Sequence, residues 1–154
     1  MLTYRNGDLL AAGEDVIVHG CNCMRTMGSG IAAQIREKCP TAYAADQRTI
    51  WGDKDKLGTF TCATDDLNGK LTIVVNAYTQ YDYSRTRVCA DYNAIEKVFE
   101  LICQTFAHKV IALPKIGCGL AGGDWKIVSE ILEKISDKYD REFRVYVWDN
   151  NEVR

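Results

Sequence analysis

An α/β fold, with helices on both faces of a mixed sheet, follows from three features of the 154-residue chain. Short apolar runs alternate with amphipathic helical patterns, the order expected of a largely parallel sheet. One tetrad, Asp66-Leu67-Asn68-Gly69, sits between two strand-like runs and reads as a hairpin turn, which makes the sheet mixed. Two glycine-rich loops each follow an apolar run and open a helix, an arrangement that lets backbone N–H groups approach a phosphate.

The elements can be taken in order. Residues 3–5 begin a strand, and Gly7-Asp8 turns the chain into a short helical segment at residues 9–12. Residues 16–19 form an apolar strand of the fully buried kind, ending at His19. A helix runs over residues 30–38, and Pro40 starts another that reaches about residue 51. Residues 59–63 and 71–76 are the hairpin strands. Ile95, Val98, Phe99 and Ile102 recur at helical spacing within residues 90–106. Residues 110–113 are a buried strand, 125–139 a helix and 143–148 a last strand. No linker, repeat or low-complexity stretch interrupts the pattern, so residues 1–154 are expected to be a single domain.

Composition narrows the function classes. A net charge of −2 argues against a broad basic face for duplex nucleic acid, but not against a nucleotide, which backbone amides can hold. No apolar run approaches the roughly 20 residues of a membrane helix, and the chain enters a strand pattern from Met1, so no membrane association and a cytoplasmic location are expected. The seven cysteines are odd in number and include no Cys-x-x-Cys. With two histidines in the chain, reduced thiols fit better than disulfides or zinc, and neither a metal nor a cofactor is expected.

The first loop reads His19-Gly20-Cys21-Asn22-Cys23-Met24-Arg25-Thr26-Met27-Gly28-Ser29-Gly30, and the second Gly117-Cys118-Gly119-Leu120-Ala121-Gly122-Gly123-Asp124. With Asn6-Gly7-Asp8-Leu9 after the first strand, these segments resemble the macrodomain family of ADP-ribose-binding modules over essentially the whole chain. The first loop looks most like the branch of the yeast ADP-ribose 1″-phosphate phosphatase and its phage-like relatives. The second also resembles the terminal ADP-ribose protein glycohydrolase branch. The resemblance implies a three-layer α/β/α sandwich with a mixed central sheet. It implies ADP-ribose or a derivative as partner, bound by what is expected to be a monomer.

Carried over to this sequence, the resemblance gives Asp8, beside Leu9, as acceptor of the adenine amine; the local reading is a helix N-cap. Asn22 reaches the distal ribose or orders its loop through an Asx-turn. Gly28, Ser29, Gly30 and Ile31 form one diphosphate loop, and Gly117, Cys118, Gly119, Leu120, Ala121 and Gly122 the other. Cys118 stands beside the diphosphate, or, the reading preferred, is only a small buried residue. His19 orients or deprotonates a water, or is a satisfied structural histidine. Asp124 faces the ribose as a second catalytic candidate, or caps the helix that follows. Tyr81 or Tyr83 stacks on the adenine or the ribose, or both are packing residues at a strand end.

Two departures bear on mechanism. The phosphatase branch has an aspartate where this chain has Gly117. The glycohydrolase branch pairs a lysine near Ala77 or Tyr78 with an aspartate at the place of Ala121. A lysyl-sugar adduct is therefore disfavoured. Hydrolysis of ADP-ribose 1″-phosphate by water attack is the leading expectation. The alternatives are removal of ADP-ribose from a protein carboxylate or nucleobase, and binding without turnover.

Overall fold

The computed structural model describes residues 1–84 and 86–147. Six strands form one sheet: β1 (Leu2–Asn6), β2 (Val16–Cys21), β3 (Phe60–Leu67), β4 (Lys70–Tyr78), β5 (Ile111–Leu113) and β6 (Phe143–Val147). Their order is β1-β6-β5-β2-β4-β3, and all neighbours are parallel except the β3–β4 hairpin. The hairpin turns through Asn68 and Gly69, both with positive φ (56° and 84°), as the Asn-Gly pair predicts. The helices are α1 (Gly30–Lys38), α2 (Pro40–Gln47), α3 (Tyr92–Thr105) and α4 (Trp125–Tyr139). The bounds of α1 and α4 are those expected from the sequence.

Alternation along the strands divides the core into two layers. Val16 and Val18 of β2, with Val75 and Ala77 of β4, pack against Ile95, Val98, Phe99 and Ile102 of α3 and Val128, Leu132 and Ile135 of α4. Ile17, Val74 and Tyr78 face the other way, onto Leu9, Leu10, Ile35 of α1 and Ala42 of α2. The result is a three-layer α/β/α sandwich.

Several boundaries differ from the expected ones; the hairpin strands, for example, run over Phe60–Leu67 and Lys70–Tyr78 rather than residues 59–63 and 71–76. The strand expected to end at His19 continues to Cys21, because β4 also runs on to Tyr78 and pairs His19, Gly20 and Cys21 with Asn76, Ala77 and Tyr78. The second helix stops at Gln47 rather than near residue 51. Thr49 donates its N–H to Asp46 O at 3.0 Å and its hydroxyl to the same carbonyl at 2.7 Å, and Gly52 then takes φ +71°. The last strand is described as far as Val147, and its expected end, Trp148, lies outside the described residues.

Between β2 and β5 the connections diverge. The chain leaves β2 for α1 on one face and leaves β5 for α4 on the other. A crevice at the carboxyl ends of two such strands is where open α/β sheets bind ligands.

Candidate functional site

The crevice is a cleft of about 600 Å³ running along the carboxyl edge of the sheet. Tyr146 and Val147 of β6 close one end, and Gln80, Tyr83 and Ser84 beyond β4 close the other. The two glycine loops form its walls.

The first wall ends in a helix start that no carboxylate occupies. Each of the other three α-helices has an aspartate on its first-turn N–H groups. In α2, Asp65 of β3 accepts from Thr41 N (3.0 Å) and Ala42 N (2.9 Å). In α3 and α4, Asp91 accepts from Ala94 N (3.0 Å) and Asp124 from Lys126 N (2.9 Å). At α1 the N-cap is Ser29, extended at φ −152°, and its side chain makes no capping bond. Gly30 then takes φ +58°, a left-handed turn that glycine adopts without the Cβ penalty. The N–H groups of Gly30, Ile31 and Ala32 precede the first intrahelical donor, Ala33, and all three residues line the cleft.

The second wall offers a matching set. Cys118 N bonds Lys115 O at 3.2 Å, Gly122 N bonds Gly119 O at 3.1 Å and Gly123 N bonds Gly117 O at 2.8 Å, folding the loop on itself. Gly117 makes this turn at φ +76°. Among the described residues no acceptor meets the N–H groups of Gly119, Leu120 or Ala121, which also line the cleft. Two helix-edge and loop arrays of unused N–H groups thus face one space, the arrangement that holds an anion.

The described ionisable side chains on the cleft bring it no negative charge. Among the described residues no carboxylate lines it. Burial pushes the Cys118 thiol up to about 11, and Cys21 well above its ordinary value, so both are uncharged at neutral pH. Among the described lining residues Lys115 is the one cation, on the exposed start of the second loop. Among the described residues no three His, Cys, Asp or Glu side chains converge on a possible metal position.

His19 lies on the cleft's floor but is 2% exposed. Its Nε2 is 2.7 Å from Asn76 Oδ1. The Asn76 amide nitrogen donates to Ala42 O (2.9 Å) and Thr61 Oγ1 (3.1 Å), so its oxygen faces His19 as acceptor and Nε2 carries the proton. Burial, partly opposed by this bond, lowers the imidazole from 6.5 to about 4. The network continues: Thr61 Oγ1 bonds the Tyr78 hydroxyl at 2.9 Å, which donates to Asp46 Oδ1 at 2.8 Å. Desolvation raises the Asp46 carboxyl, against the lowering effect of the Tyr78 bond and the nearby Lys56 ammonium.

The expected site residues fall into two groups. Asn22, Gly28, Ser29, Gly30, Ile31, Gly117, Cys118, Gly119, Leu120, Ala121 and His19 line the cleft. Asp8, Leu9, Gly122 and Asp124 do not. Asp8 caps the turn of Leu9–Ala11 through Leu10 N at 3.0 Å, and stands beside Gly7, whose N–H bonds Val147 O at the cleft's end. Leu9 is buried in the core. Asp124 is exposed and capping. Asn22 forms the Asx-turn: Oδ1 accepts from Met24 N at 2.8 Å, and Nδ2 donates to Thr26 Oγ1 at 2.8 Å.

Of the two tyrosines, Tyr83 lines the cleft, whereas Tyr81 is held by packing, with its hydroxyl on Gly52 O at 2.9 Å and Lys54 over its ring. Sequence reasoning missed Gln80, Ser84 and Tyr146. Tyr146 had a usable signal, its place at the carboxyl end of a strand; Gln80 and Ser84 had none.

The chain matches the Macro domain family over residues 18–132. It belongs to that family. This macrodomain is 33% identical over 144 residues to an uncharacterized 17.5 kDa protein of Enterobacteria phage T4, covering 91% of the chain and 93% of the relative. It is 28% identical over 165 residues to an ADP-ribose 1″-phosphate phosphatase of Candida albicans, covering 96% and 99%. It is 29% identical over 133 residues to a DNA ADP-ribosyl glycohydrolase of Mycobacterium tuberculosis, covering 86% of this chain but 38% of that protein. The solved macrodomain of Mycobacterium tuberculosis DarG superposes with a TM-score of 0.76 at 25% identity, covering 95% and 97% of the two chains.

Proposed function

We propose that this macrodomain binds ADP-ribose in the cleft and hydrolyses a bond at the distal ribose, with ADP-ribose 1″-phosphate as substrate. The observation that carries the reading is the unoccupied α1 start opposite the free N–H groups of Gly119, Leu120 and Ala121. Together they suit a diphosphate gripped from two sides. The adenine then lies toward Asp8 and Val147, and the distal ribose toward Asn22, Gln80 and Tyr83. Similarity to the phosphatases over nearly their full length supports the choice of substrate.

The chemistry rests on water and fixed dipoles. Water attacks phosphorus, the P–O bond to C1″ breaks, and the ribose hydroxyl leaves as phosphate forms. Backbone N–H groups stabilise the charge that develops. His19 keeps its proton on Nε2, so Nδ1 is an acceptor at neutral pH and serves to orient the water. Asp124, the second catalytic candidate, lies outside the cleft and caps α4, so the proton is not assigned to it. No lysine stands where a sugar adduct would need one: Ala77 and Tyr78 are buried within β4. A second reading, removal of ADP-ribose from a macromolecule, is favoured by the similarity to the DNA ADP-ribosyl glycohydrolase.

The test is phosphate release from ADP-ribose 1″-phosphate beside ADP-ribose binding. At a hundred times its dissociation constant, ADP-ribose adds about 2.7 kcal/mol to stability, read as a rise in Tm. Absence of that rise refutes the cleft assignment. Binding with no phosphate release, but with release of ADP-ribose from a macromolecule, transfers the activity to the second reading; binding with neither leaves a non-enzymatic reader.

A further inference from the structure

His19, Asn76 and Thr61 stand in one row across three strands. The register pairs His19 of β2 with Asn76 of β4, and Asn76 with Thr61 of β3. Side chains directly opposed across a ladder share a face of the sheet, here the face that carries Val74 and Tyr78 toward Ala42 of α2. Asn76, in the middle, is fully buried and uses both amide hydrogens. Nδ2 donates to Ala42 O at 2.9 Å and to Thr61 Oγ1 at 3.1 Å, which leaves Oδ1 for His19 Nε2 at 2.7 Å. A flipped amide would set its oxygen against the Ala42 carbonyl, acceptor against acceptor, in a fully buried place.

Beyond Asn76 the donors all run the same way. The Tyr78 hydroxyl donates to Asp46 Oδ1 at 2.8 Å, so Thr61 donates to Tyr78 at 2.9 Å and accepts from Asn76. The Asp46 carboxyl thus orients each hydrogen from the cleft floor to α2, and bonds in such a chain polarise one another. Lys56 closes this end, with Nζ on Thr49 Oγ1 at 2.9 Å and over the Tyr78 ring. At the other end, among the described residues, only the Cys21 thiol comes near His19 Nδ1. Its Sγ is 3.8 Å from Nδ1 and 3.6 Å from Nε2. A sulfur nearly equidistant from both ring nitrogens lies on the lone-pair axis of neither, and burial keeps the thiol protonated. Nδ1 is left as the acceptor of the ring.

We propose that Asn76 is a positioning residue for turnover: by holding the His19 proton on Nε2, it keeps Nδ1 turned to account as acceptor for the attacking water. The proposal rests on the cleft reading given above and deepens it. Asn76 does not line the cleft and acts only through the imidazole, which accepts a hydrogen bond and ends the reaction neutral. The titratable groups around the ring are Cys21 of β2, Tyr78 of β4 and, farther along the row, Asp46 of α2 and Lys56. Burial and the Asn76 bond are what shift the ring itself.

Nitrogen-15 NMR of histidine-labelled protein reads the tautomer directly. His108→Asn leaves a single imidazole; His108 is exposed at φ +62°, which asparagine tolerates. In that background Nε2 is protonated and Nδ1 bare from neutral pH down to about pH 5, one unit above the ring's lowered pKa. Asn76→Leu removes the acceptor, so both tautomers appear, and kcat on ADP-ribose 1″-phosphate falls roughly 100-fold with KM unchanged, the lower end of acid–base assistance. Asn76→Asp still accepts from Nε2 but adds a charge that favours the imidazolium. The tautomer persists there, and an acid limb enters kcat at a higher pH than in the wild type, because a protonated Nδ1 no longer accepts. A residue that only supports the fold would lower Tm in both variants and move neither the tautomer nor the pH profile. Both tautomers in the His108→Asn background, a single Nε2–H form in Asn76→Leu, or an unmoved pH profile in Asn76→Asp overturns the proposal. A tautomer fixed by Asn76 in a protein that hydrolyses no ADP-ribose derivative refutes the proposed reaction, and the positioning role with it, while the row of bonds stands.

Discussion

Titration of His19 should make the protein lose stability in mild acid. The imidazole is neutral, buried and bonded to Asn76, with its pKa lowered from 6.5 to about 4. A group with a depressed folded pKa binds protons more readily when unfolded, so its contribution is complete above about pH 6.5 and is lost as pH falls toward 4. Linkage with these two values gives a loss of about 2 kcal/mol between about pH 7.5 and pH 5, and roughly 3 kcal/mol near pH 4. That is a large share of a typical total of about 5–15 kcal/mol.

Urea unfolding at the two pH values measures it, with His19→Gln as the reference. The glutamine amide can donate to Asn76 Oδ1 in place of Nε2 but does not titrate. Carboxylates such as Asp46 change equally in both proteins, so the difference between the two pH dependences isolates the imidazole. Parallel pH dependences, or an imidazole proton resonance of His19 moving near pH 6.5, would refute the buried neutral assignment. The same reasoning bears on turnover: no inflection near pH 6.5 from His19 is expected in the rate.

Two further substitutions test the ends of the cleft. Asp8→Asn should leave stability unchanged, since asparagine caps about as well as aspartate, yet weaken ADP-ribose by about 1.5–3 kcal/mol if Oδ2 accepts the adenine amine. Calorimetry with ADP-ribose and with ribose 5-phosphate checks this, and equal losses for both would assign Asp8 to structure. Gly30→Ala should cost about 1–2 kcal/mol in denaturant unfolding, because φ +58° is strained for alanine. Gly28→Ala meets nothing within 4 Å, so it should be silent in unfolding, and any loss of ADP-ribose affinity there reports a ligand in contact with the loop.

The sequence by itself determined the elements whose signals are contiguous. The Gly30 and Trp125 helix starts, the Asn68-Gly69 turn and both glycine loops are each encoded within a few residues, by φ preference, capping or period. The tertiary structure alone decided what those pieces face. His19 could be read as catalytic or structural because its environment comes from Asn76, 57 residues away, through a strand register that only packing fixes. Asp8, Asp65, Asp91 and Asp124 look alike as acidic residues near turns, and coordinates were needed to show that each meets a helical or turn N–H. The extended backbone at Ser29 that leaves α1 open to the cleft is likewise a property of the loop's path. Trp51 reads as the last residue of a helix, yet stands in solvent. Thr49 closes α2 early on Asp46 O, and the bond from Gly52 to Cys23, across 29 residues, sets the direction of the turn. Local chemistry chooses conformations, whereas burial and hydrogen bonds between distant segments choose neighbours, and a binding site is made of neighbours.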